Sequence, residues 1–182
     1  AFSAFLFEYY AESNRIPREI LVDVALEEED ADALAIPPIG SGRTSVYIDA
    51  IKKATELITD RPVFAGVIGP FSLAGRLLDV TEIMMLCYDE PDMVHVVLEK
   101  ATEFLIRYIR AYRKTGAGGV MVAEPLAGLL SPALMEEFAA PYMKRIVDAA
   151  PDDHFILWHD LEAERHAIKA ALPDAVEVYG SQ

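Results

Sequence analysis

The sequence has a single cysteine, Cys87. One thiol cannot close an intrachain disulfide or build a cysteine-rich zinc site, and this usage fits a reducing, cytoplasmic setting. No apolar stretch approaches the ~20 residues that a membrane-spanning helix needs, so no membrane partner is expected. The opening ten residues, AFSAFLFEYY, lack a basic region and a small-residue cleavage site and do not read as a signal peptide. The chain does not open with Met, as expected of a processed or truncated protein. Basic residues are few. There are 16 Lys and Arg against 30 Asp and Glu, for a formal net charge of −14. That field repels a phosphate-rich polymer, so no nucleic-acid partner is expected. The densest basic run (Arg107, Arg110, Arg113, Lys114) lies along one helical segment and reads as a solvated face. HExxH, CxxC, GxGxxG and GxxxxGKS/T are all missing, so no short motif marks a metal or nucleotide site.

What is present is apolar material in a regular order. Hydrophobic residues make up 53% of 182 residues, which argues against disorder. The length suits one domain of ~100–150 residues or somewhat more, but falls short of the ~250 of a complete eight-fold βα barrel. Residues 36–42, Ile-Pro-Pro-Ile-Gly-Ser-Gly, are rich in breakers and read as a loop. Helical spacing then runs over 45–58. A short apolar run over 63–68, closed by Gly69-Pro70, suits a buried strand. Short helices follow over 73–78 and 81–87. Pro91 precedes the clearest helix, 92–114, with apolar residues recurring at spacings of 3–4. Gly116 closes that helix. Residues 119–123 read as a second strand. Ser131 caps a helix that starts at Pro132. A third strand is expected over 155–158, a helix over 161–172 and a fourth strand over 175–179.

Strand followed by helix, repeated, predicts an α/β fold: a partial (β/α)8, TIM-barrel-like domain with parallel strands alternating with helices. Residues 1–40 form an N-terminal segment with no structure assigned, and 41–182 the partial barrel. Parallel sheets place their chemistry at the carboxyl ends of the strands. Here those ends are Gly69-Pro70-Phe71, Glu124-Pro125-Leu126 and His159-Asp160.

Glu124 ends an apolar strand, where a carboxylate can act as a base or bind a polar substrate; a solvated or helix-capping acid is the structural alternative. His159, followed by Asp160, Glu162 and His166, is a candidate metal site, with first-turn acids of a helix as its alternative. Backbone N–H groups in the turn 66–73 could bind an anion. Met84, Met85 and the aromatic residues read as core. His95 and His154 read as surface residues.

Two segments carry more than generic pattern. Residues 61–79, RPVFAGVIGPFSLAGRLLD, resemble the G-P-F/W-T/S-L strand–turn–helix of the uroporphyrinogen decarboxylase family. Residues 118–132, GGVMVAEPLAGLLSP, continuing through Glu136-Glu137-Phe138 to Pro141-Tyr142, resemble that family's D/E-x-x-A-G-x-L-S-P…F…P-Y block. Together they cover about residues 31–150. The family holds porphyrinogen decarboxylases (lyases) and cobamide-dependent methyltransferases. The decarboxylases resemble one another in a Tyr after G-P-W-T-L and a Ser after the acid of the second block; here the first region has Arg76 and no Tyr, and Pro125 follows Glu124. The resemblance therefore implies the methyltransferase-like branch, with methyl transfer from a methylcobamide to a small-molecule thiol. It also implies a zinc held by a His-x-Cys pair and a distal Cys. His159 falls at the His, Leu161 stands at the Cys, and the distal Cys has no counterpart.

On this reading Glu124 and His159 are the catalytic candidates, His159 the metal candidate, and Ser72 and Arg76 the substrate-binding candidates. The two ends resemble other proteins: 5–22 a piece of a nucleotide-excision nuclease, and 155–182 a segment of phage-type Snf2 helicases. The competing expectations are a non-catalytic barrel fragment that self-associates as a homo-oligomer, a decarboxylase, and a nucleic-acid-processing fragment.

Overall fold

The computed structural model describes residues 28–149 and the strands Phe155–Trp158 and Val176–Glu177. Four strands form one sheet in the order β1-β2-β3-β4: Phe64–Ile68, Gly119–Ala123, Phe155–Trp158 and Val176–Glu177. All three pairings are parallel, as expected when helices cross over between consecutive strands. The register sets Ile68 beside Ala123 and Ala123 beside Trp158, so β1, β2 and β3 end at one edge of the sheet. This is the α/β arrangement expected of part of a (β/α)8 barrel. The fourth strand, expected over 175–179, is described at Val176–Glu177, and the rest of that range and the helix expected over 161–172 lie outside the described residues.

Helix α1, Glu28–Ala33, stands in the segment to which the sequence assigned no structure. Ala31 is buried in the core, and the Lys100 ammonium bonds the Ala31 and Asp32 carbonyls at the helix end, where a cation is favoured. α2 is Arg43–Leu57, α3 Pro70–Leu78, α4 Val80–Asp89 and α5 Pro91–Arg113. All four start before the residues that hydrophobic spacing marks. Pro70 and Pro91 explain two of these starts, because proline suits a first turn whose N–H groups lack helical partners. Asp79 separates α3 from α4 with φ 73° and ψ 145°, a conformation that ordinarily favours glycine, and its Oδ1 accepts from Thr81 N at 2.8 Å. Gly116, at φ 86°, follows α5 as a C-terminal glycine should.

After β2, a 3₁₀ turn (Ala127–Leu129) leads to an α turn (Pro132–Leu134), a π-helical turn (Met135–Ala139) and α6 (Ala140–Asp148). Ser131 Oγ accepts from Leu134 N at 3.4 Å, as its capping position predicts. Ala140 N donates to Met135 O, five residues back. The π turn has a local cause: Pro141 has no N–H, so the regular ladder loses a bond there and the backbone widens.

Burial alternates along the sheet. Ala65, Val67, Val120 and Val122 are buried against Leu105, Ile109 and Tyr112 of α5 and Met143 and Ile146 of α6. On the opposite face the register partners Gly66 and Met121 are exposed. A second core cluster, around Phe71, Leu98 and Phe138, joins α3, α4, α5 and the π turn.

The site at the carboxyl ends of β1 and β2

Helix α3 begins at Gly69-Pro70, and glycine offers no side chain to cap it. The N–H groups of its first turn are met from another strand instead. Glu124, the residue after β2, reaches across so that Oε2 accepts from Phe71 N at 3.0 Å and Oε1 from Ser72 N at 2.7 Å. Ser72 Oγ also donates to Oε1, and itself accepts from Leu126 N at 3.0 Å. The sequence marks the turn 66–73 as able to bind an anion. Those donors are taken by the chain's own Glu124 carboxyl group.

Glu124 and Ser72 are both only 3% exposed. Burial pushes the Glu124 carboxyl up to about 7, while the bonds from Ser72, Phe71 and Ala127 pull the other way. Among the described residues, no charged side chain contributes to that shift. The close approach also explains two glycines. A Cβ on Gly69 would lie 2.0 Å from Glu124 Oε2, and one on Gly75 would lie 2.2 Å from Leu126 Cδ2. Sequence reading marks Gly69 as a breaker but not as the space the carboxylate needs. A glycine opening a helix opposite a strand-end acid is the signal that could have shown it.

The structure thus brings Ser72 and Glu124 together and leaves Arg76 exposed on α3. His159 lies outside the described residues, as do Asp160, Glu162, His166 and His154. Trp158, its predecessor, is the register partner of Ala123, so the chain leaves β2 and β3 at the same end of the sheet. Among the described residues, no group of three His, Cys, Asp or Glu could hold a metal. Cys87 is buried on α4, and burial, with a smaller push from Glu137, raises its thiol to about 11. A thiol so reluctant to ionise is a poor zinc ligand. With Leu161 at the other ligand position, the described residues do not fit the zinc site that the resemblance implies.

His95 is no free surface residue. Its Nδ1 lies 2.7 Å from Tyr142 Oη, and its ring stacks on Phe138 with centroids 4.7 Å apart. The arginines of α5 are exposed as expected, and Arg107 pairs with Glu103 at 2.7 Å. Met84 is packed against the core while Met85 is 49% exposed, so the core reading holds for the first alone.

The sequence that builds this site also matches a family model. The uroporphyrinogen decarboxylase (URO-D) model matches residues 10–177. The chain belongs to the uroporphyrinogen decarboxylase family. The match runs past residues 31–150 at both ends and takes in most of the segments that resemble a nuclease and a helicase, so those ends belong with the family. A chloroplastic uroporphyrinogen decarboxylase 2 of Arabidopsis thaliana is 29% identical over 145 residues, covering 76% of this chain and 35% of that protein. The uroporphyrinogen decarboxylase of Aliivibrio salmonicida is 31% identical over 127 residues, covering 66% and 36%. A methyltransferase from Methanosarcina mazei superposes with a TM-score of 0.70 at 25% identity, over 79% of this chain and 43% of that one. The chain spans about a third of the length of these two curated relatives. Among the described residues, no helix is long and apolar enough to cross a membrane.

Proposed function

We propose that this family member acts on a small molecule at the carboxyl ends of its strands, and that it belongs to the methyltransferase side of the family. The observation that carries this reading is the local chemistry of the two strand ends. Pro125 follows Glu124, and Arg76 stands exposed in the region where the decarboxylases carry a Tyr. The likeness to a methanogen methyltransferase over 79% of the chain supports it. A methylcobamide would supply the methyl group, and a small thiol would accept it. His159, which follows Trp158 in the chain, is the residue we assign to the acceptor on the family resemblance alone. No step is assigned to zinc, since the ligand set is incomplete.

The test is to incubate the protein with methylcobalamin and 2-mercaptoethanesulfonate and follow the thioether by mass spectrometry. Uroporphyrinogen is supplied in a parallel reaction. Thioether formation without coproporphyrinogen is expected. Decarboxylation without thioether would place the protein with the lyases instead.

A second reading has its own observation. Among the described residues, β1 is a sheet edge, and Gly66 and Met121 are exposed on the face opposite the core. Parallel sheets are ordinarily covered on both faces, and an open strand edge pairs readily. We propose on that ground that the 182-residue chain by itself associates with further copies. Light scattering across a concentration series decides this: mass should rise with concentration, whereas a constant monomer mass would rule association out.

A further inference from the structure

We infer that Glu124 and Ser72 form a positioning unit that holds the β1–α3 turn and the loop after β2 at one spacing, and that neither side chain touches substrate. The hydrogen bonds of the pair support this. Glu124 spends Oε2 on Phe71 N and Oε1 on Ser72 N and Ser72 Oγ, and the Ala127 N–H of the loop after β2 also favours its carboxylate. A serine hydroxyl has one proton to give, and Ser72 gives it to Glu124 while accepting from Leu126 N. The four groups form a closed circuit: the end of β2, the first turn of α3, and back to the loop two residues beyond Glu124. Both side chains are 3% exposed, and the Cβ position of Gly69 is occupied by the carboxylate, so no space is left for a substrate atom on that side. The β ladder continues into the same place, with Gly69 N donating to Ala123 O at 2.7 Å. Glu124 thus acts through the two loops. It sets where the residues beyond the strand ends stand, which is the level at which a displacement of ~1 Å changes turnover steeply.

The role applies to either reaction of the family, and rests on the proposed function only where turnover is read. The experiment compares Glu124→Gln, Ser72→Ala and the double variant, using amide NMR signals and turnover in the two assays above. Glu124→Gln should shift the Leu126 amide, which donates to Ser72 Oγ and not to Glu124, and Ser72→Ala should move the same amide with the carboxylate kept. Each single variant should lose turnover by roughly ten- to a hundredfold. The double variant should be no worse than the worse single, because the two act as one unit. Turnover abolished by Glu124→Gln with the Phe71, Ser72 and Leu126 amides unmoved would make Glu124 a reacting group and overturn the inference. Full turnover in folded variants would reduce the pair to a structural contact and overturn it equally. Should Glu124→Gln fail to fold, Ser72→Ala, which keeps the carboxylate, carries the same readings. A wild-type protein inactive in both assays would defeat the proposed function alone, and the presence or absence of the Leu126 amide shift would still decide the unit.

Discussion

Gly69 and Glu124 claim one volume: a Cβ on Gly69 would stand 2.0 Å from Glu124 Oε2 and 2.5 Å from its Cδ. The helix that starts at Gly69 and the strand that ends before Glu124 can meet only because one of them has no side chain. Gly69 has φ −76° and ψ 168°, which alanine adopts freely, so the constraint is contact and not conformation.

Gly69→Ala should therefore destabilise through overpacking, by about 1–3 kcal/mol, with the carboxylate pushed off its donors. Urea denaturation should show a lower midpoint. An unchanged midpoint would mean that the two loops can part at little cost.

The pH dependence of stability has a definite sign at Glu124. Burial raises its carboxyl from 4.5 to about 7. The folded state therefore binds this proton more tightly than the unfolded chain does. The resulting contribution is fully present below 4.5 and is lost as pH rises through about 7. Its size is on the order of 3 kcal/mol at one pKa unit per 1.36 kcal/mol. Unfolding free energies of wild type minus Glu124→Gln, measured from pH 4 to 8, should fall across that window. A flat difference would show that the hydrogen bonds fully offset burial, and a rise with pH that they outweigh it.

Phe138 is fully buried on the π turn and stacks against His95. Phe138→Ala should cost about 3–5 kcal/mol, because an aromatic ring leaves a cavity that its neighbours cannot fill. Thermal unfolding followed by circular dichroism reads the loss. A shift no larger than that of a surface substitution would show that the turn repacks.

Cys87 should be chemically silent in the native protein. Its thiol is buried and raised to about 11, so the thiolate is scarce at pH 8. Ellman's reagent should react slowly with the folded chain and titrate one thiol rapidly in guanidinium chloride. Fast native reaction would mean that α4 opens readily from the core.

The order of elements is legible in the sequence because each rests on local chemistry. The proline at the start of α5, the apolar spacing along it and Gly116 after it act within a few residues, and β2 and β3 are legible at their full bounds. Helix α1 escapes such a reading because its six residues, Glu-Glu-Asp-Ala-Asp-Ala, carry no apolar stripe, and its docking depends on Lys100, far along the chain. The π turn escapes it for a similar reason. Hydrophobic spacing barely changes over one widened turn, whereas the backbone responds to the N–H that Pro141 lacks.

The site divides along the same line. Sequence alone determined that Glu124 ends a strand, that Gly69-Pro70 closes another ahead of a helix, and that both resemble one family's blocks. Only the tertiary structure decided that the two are bonded, because residues 52 and 53 positions apart in the chain meet only when β1 and β2 pair in register. A carboxylate at a strand end can face solvent, substrate or a helix, and no local pattern distinguishes these. The choice is made by what the sheet brings opposite it: here, unpaired N–H groups that must be satisfied once water is excluded.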